Sequence, residues 1–197
     1  SKQDNLIAHI LFQKKSGDWG QELIADVVST HGNSSDQNIE RYYVSGKILH
    51  RGENIVYRFG KITAEKDLTS IFDHQITTSM GWGIDVLKSD DVSLSLEMGG
   101  GYRYSRMKDS EDEKATHEGT GMLAGFYTYK ISPDIKFNQD ISFELGKDSQ
   151  ILRSRSALSA DLTKKISAVA SYSLKNVQAD KGDNRDSLLS LGLRYRY

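Results

Sequence analysis

Apolar and polar residues alternate with a period of two along nearly the whole chain. Leu189, Leu191, Leu193, Tyr195 and Tyr197 fall on one face of a run whose other face carries Ser190, Gly192, Arg194 and Arg196. Val92, Leu94, Leu96, Met98, Tyr102 and Tyr104 alternate in the same way with Ser93, Ser95, Glu97, Gly99, Gly101 and Arg103. A third run sets His74, Ile76, Thr78, Met80, Trp82, Ile84 and Val86 against Asp73, Gln75, Thr77, Ser79, Gly81, Gly83 and Asp85. A fourth sets Ile135, Phe137, Ile141, Phe143 and Leu145 against Lys136, Asn138, Asp140, Ser142 and Glu144. Period two predicts strands with unlike faces, and helical periodicity is weak everywhere. Soluble strands cluster near about five or six residues. These runs hold for roughly ten or more, the length a tilted strand needs to cross a bilayer.

Turn chemistry divides the runs. Short connections are predicted near 15–18, 50–53, 88–91, 132–134 and 163–165. Longer polar ones are predicted at 31–37, 65–70, 108–116, 146–150 and 178–186. Outer-membrane barrels pair short periplasmic turns with longer extracellular loops, so the first set is assigned to the periplasm and the second to the outside. Eleven strands result. Bacterial single-chain barrels have an even number, and the alternation places Ser1 outside, so one further strand is expected ahead of Ser1 and about twelve in all. The expected fold is all-β: a single domain over 1–197 forming a transmembrane antiparallel up-and-down β-barrel.

Composition narrows the alternatives. The chain has 197 residues, a formal net charge of -1 and no cysteine. Disulfides, thiolate catalysis and cysteine-held metals are excluded, and the charge gives no footing for nucleic acid. No apolar run is long enough for a transmembrane helix. A soluble sandwich with one wet face is the competing fold. It would have shorter strands and prolines in its loops, whereas this chain has a single proline, Pro133.

The aromatic terminus, with Leu193, Tyr195 and Tyr197 at alternate positions, resembles the signal read by the outer-membrane assembly machinery. An interfacial aromatic girdle would have the same look. The segment Leu96-Glu97-Met98-Gly99-Gly100-Gly101-Tyr102-Arg103-Tyr104 resembles a glycine-tyrosine-arginine strand of the YdiY-like family of salt-induced outer-membrane proteins. Ser79-Met80-Gly81-Trp82-Gly83 and Phe137-Asn138-Gln139-Asp140-Ile141 extend the resemblance. It implies an outer-membrane barrel with a further tryptophan- and glycine-bearing strand upstream, and it supplies no catalytic residue.

Parity predicts a lumen carrying Arg103, Arg153, Arg155, Arg194, Arg196 and Arg58, opposed by Asp85, Glu97, Asp140, Glu144, Glu22 and Asp26. Glu144 and Arg153 flank one loop and can pair across a hairpin. The set reads either as an ion-pair network that fills the lumen or as a constriction that selects solutes. The five histidines are scattered without ligand spacing and are expected at surfaces or interfaces. No motif frames a nucleophilic serine. The acidic run Asp109-Ser110-Glu111-Asp112-Glu113 reads as a solvated loop, with divalent cations among lipopolysaccharide phosphates as the alternative. Asp180, Asp183 and Asp186 lack EF-hand spacing. Gly99, Gly100 and Gly101 are expected to bend a strand or to pack closely against a lumen arginine.

The reading is a structural or envelope-maintenance barrel with a charge-filled, narrow lumen, as part of a larger assembly or alone; a small-solute channel is the alternative, and an outer-membrane hydrolase comes last. No cofactor or metal is expected. The expected partners are lipid, lipopolysaccharide, the assembly machinery and a further protein chain.

Overall fold

The computed structural model describes residues 4–31, 39–52, 55–67, 72–107, 115–164, 166–179 and 182–195. They form eleven strands. β1 (Asp4–Ser16), β2 (Trp19–His31), β3 (Ile39–Arg51) and β4 (Val56–Asp67) come first. β5 (Phe72–Lys88), β6 (Val92–Met107) and β7 (Ala115–Ser132) are the longest. β8 (Ile135–Gly146), β9 (Ser149–Asp161), β10 (Ile166–Ala179) and β11 (Gly182–Tyr195) complete the chain. The strands neighbour one another in chain order without crossover, with β1 and β11 at the two ends of that order. The shortest has 12 residues and the longest 18, well beyond the soluble norm of about five or six.

Two compact units are present. The first comprises Ser1–Gly81 and Gly100–Thr120, the second Trp82–Gly99 and Gly121–Tyr197. In the first, β1 meets β2 from Asp4↔His31 to Ser16↔Trp19, and β3 pairs with both β2 and β4. In the second, β8, β9, β10 and β11 form consecutive ladders.

Local chemistry closes the turns. Gly17 has φ 58, a left-handed value that only glycine adopts without strain. In the second unit, three connections share a hydroxyl turn. The amides of Val92, Ile135 and Ile166 donate to the side-chain oxygens of Ser89, Ser132 and Thr163 at 3.0, 3.1 and 3.0 Å.

Three connections expected to be long are shorter than their polarity implied. Ser149 is buried and Gln150 pairs with Leu145, so only Lys147 and Asp148 separate β8 from β9. Gln178 pairs with Asp183 and Ala179 with Gly182, which leaves two residues between β10 and β11. Glu65 lies opposite Tyr43 and Asp67 opposite Arg41, inside β4. Backbone groups pair whatever the polarity of the side chain they carry, so polar strand ends extend the ladder. The acidic run 109–113 lies outside the described residues.

Candidate functional site

The two sheet faces carry opposite chemistry in each unit. In the first unit the exposed face shows Tyr42, Val44, Ile48, Ile62, Ile76 and Met80. In the second it shows Trp82, Met98, Leu123, Leu158, Leu189 and Leu191, the last of them 80% exposed. The buried faces hold hydroxyls and charges, among them Ser45, Glu65, Gln75 and Ser105 in the first unit and Glu97, Ser159, Ser171 and Lys175 in the second. This inverts a soluble protein, in which large apolar groups go inside and charges out.

Aromatic clusters sit near strand ends on the exposed face of the first unit. Trp19 and His50 meet edge to face with ring centroids 4.7 Å apart. At the opposite end of the strands, the Tyr102 hydroxyl lies 2.6 Å from Nδ1 of His117, and the Tyr104 ring is 5.1 Å from that histidine. Amphipathic rings favour a membrane–water interface. A polar cluster of Gln139, Ser154 and Ser156 interrupts the apolar face of the second unit. Gln139 donates to the Asp140 carbonyl and to Ser154 Oγ, and it accepts from Ser156, so its amide is satisfied within the chain.

The buried face of the first unit centres on Arg103. Its side chain is 0% exposed, and Nη1 donates to Glu118 Oε1 at 3.2 Å. Gln75 donates to Ser105 Oγ at 3.1 Å beside it. Gly101 meets the β5 backbone rather than an arginine: an added Cβ would overlap the Thr78 carbonyl oxygen. Arg58 departs from the parity expectation. It is exposed, and Tyr57 and Phe59 hold the buried positions on either side. Those rings offer their faces to cations on β3, with Arg51 4.2 Å from the Tyr57 centroid and Lys47 5.1 Å from that of Phe59. The strand phase is therefore fixed by two aromatics, and Arg58 shares the exposed face with Ile62. Of the histidines, His9 pairs with Asp26 and His74 with Asp73. Glu22 accepts from Gln13 at 2.8 Å.

In the second unit Arg153 Nη1 donates to Glu144 Oε1 at 2.8 Å. Register sets Arg153 opposite Lys175 on β10, and Lys175 opposite Asp186 on β11. Arg155 stands opposite Asp140 on β8 and Ser173 on β10. Asp85 accepts from Ser95 at 2.8 Å, and Glu97 is buried. Ser171 and Ser190 share a 2.7 Å bond. Arg194 and Tyr195 belong to β11, and Leu193 is exposed. Arg196 and Tyr197 lie outside the described residues. Sequence reasoning missed Glu118 and Lys175. Their signal was the phase of β7 and β10, where Glu118-Thr120-Met122 and Ser171-Ser173-Lys175-Val177 recur at alternate positions. Among the described residues, no three of His, Asp or Glu gather closely enough to hold a metal ion.

The match that places the chain extends over residues 1–197. The chain belongs to the DUF481 family. That family is described as protein of unknown function. No curated protein matches the chain. Among solved structures, it is similar to the NanC porin, at 10% identity and a TM-score of 0.63, over 99% of this chain and 98% of that one. It is also similar to the outer membrane channel DcaP of Acinetobacter baumannii, at 12% identity and a TM-score of 0.51. That alignment covers 96% of this chain and 62% of the DcaP chain. At such identities the likeness is one of fold: this DUF481 chain has the antiparallel up-and-down fold of porin-type outer-membrane barrels. The YdiY-like name suggested by the glycine-tyrosine-arginine strand is carried by neither neighbour.

Proposed function

We propose that the chain is an outer-membrane β-barrel that passes small polar solutes through a narrow, ion-paired lumen. The observation that carries this reading is the inversion of faces within each unit. Exposed Leu, Ile, Met and Trp need lipid around them, and buried Arg, Lys, Asp and Glu need partners or water. Both solved neighbours are described as a porin or a channel, which supports passage over enzymatic turnover. Outer-membrane lipid and lipopolysaccharide contact the apolar belt in this reading. Leu193, Tyr195 and Tyr197 serve as the assembly signal.

A second reading is a sealed structural barrel for envelope maintenance. It draws on the Arg103–Glu118 pair, whose side chains are 0% and 5% exposed and fill their site. Planar-bilayer recording separates the two. Small, stable single-channel steps from the wild type support passage, and electrical silence from correctly folded protein supports the sealed barrel.

A further inference from the structure

The buried face of the second unit concentrates positive charge on two neighbouring strands. Arg153, Arg155 and Lys175 lie on β9 and β10, with Arg153 directly across from Lys175. Like charges directly opposite one another across strands are destabilising, so the arrangement needs compensation. Carboxylates on the flanking strands supply it. Glu144 on β8 binds Arg153 at 2.8 Å, and Asp186 on β11 faces Lys175.

Arg155 stands apart. It is half-buried on the same face and in register with Asp140, yet among the described residues its side chain has neither a hydrogen-bond nor an ion-pair partner. A guanidinium presents a planar fork of N–H donors that matches a carboxylate bidentately. Its surroundings are hydroxylic: Ser173 lies directly opposite, and the Ser171–Ser190 pair lies one row further along the face. Arg153, held by Glu144, and Lys175 add to the positive field of this face.

We propose that Arg155 is the recognition residue for small organic anions, holding a solute carboxylate on its guanidinium with Ser173 beside it. The assignment rests on the reading of this face as a solvent-filled passage and deepens it. Glu144 holds Arg153 and Asp186 stands in register with Lys175, so the charge offered to solute is mainly that of Arg155, moderated by Asp140 across from it. Binding is accordingly weak and reversible, as passage requires.

The test uses the full chain folded in detergent and in planar bilayers, with Arg155→Ala, Arg155→Gln and Arg155→Lys. Wild type under a tenfold KCl gradient should show a reversal potential on the anion-selective side, and Arg155→Ala and Arg155→Gln should shift it towards the cation-selective side. Arg155→Lys should retain most of the selectivity. Titration calorimetry with citrate should show binding weakened at least tenfold in the Ala and Gln variants, with heat-modifiable gel migration confirming that each has folded. Citrate binding that depends on Arg155 in a barrel that does not conduct keeps the anion site and removes the passage. Conduction with selectivity and citrate binding unchanged in folded Arg155→Ala overturns the site. Binding of inorganic phosphate but not citrate overturns the carboxylate assignment.

Discussion

Arg153 on β9 donates to Glu144 on β8 at 2.8 Å, tying together two strands joined by only two residues. The side chains are 26% and 11% exposed, so water screens the pair only in part. Truncating Glu144 leaves Arg153 beside Lys175 without its carboxylate partner on β8. Glu144→Ala should destabilise the folded barrel by about 1–3 kcal/mol, the cost of stranding a charged hydrogen-bonding group. Urea unfolding in lipid reads this directly. Arg153→Ala/Glu144→Ala should cost less than the sum of the single variants, because neither partner is then stranded.

Arg103 and Glu118 are more deeply placed, and their variants should differ in scale. Breaking a buried pair by removing one partner costs roughly 3–5 kcal/mol. Arg103→Ala should therefore lower the unfolding midpoint further than Glu144→Ala. A midpoint equal to wild type would show that water reaches the Arg103 site freely.

Glycine contributes by backbone proximity at one position and not at another. Gly101→Ala places a methyl against the Thr78 carbonyl oxygen and the Ser79 backbone, so β5 or β6 has to shift. Overpacking of this kind costs about 1–3 kcal/mol. Gly119→Ala meets no atom within 4 Å and should stay within about 0.5 kcal/mol of wild type. Equal stabilities for the two would mean that the β5–β6 separation adjusts without strain.

The strands were legible because side-chain polarity and strand phase share a period. Leu189, Leu191 and Leu193 are exposed while Ser190 is not, as their alternation requires. Arg58 shows where the inference stops. A cation on a strand suggests a polar interior, but Tyr57 and Phe59 set the phase because Arg51 and Lys47 cover their rings. Connection length was less legible still. Ser149 and Gln150 look like loop residues, yet Gln150 pairs with Leu145 on β8 and Ser149 with Ala179 on β10. Pairing between distant strands was the least accessible layer. Lys175 acquires its neighbours Arg153 and Asp186 only through the registers of two ladders, which no local pattern encodes.

If the exposed apolar face lies in lipid, the two tryptophans sit at different depths in the bilayer. Trp82 is 60% exposed and sits well inside β5, among Met80, Ile84 and Val86. Trp19 begins β2 beside His50, at a strand end. In vesicles of brominated phospholipid, Trp19→Phe protein reports Trp82 alone, and Trp82→Phe protein reports Trp19 alone. Bromines deep in the acyl chains should quench Trp82 strongly, and Trp19 should be quenched mainly by bromines near the headgroups. Trp82 fluorescence unaffected by lipid bromination, in protein that stays soluble and folded without detergent, would contradict the placement of that face in lipid.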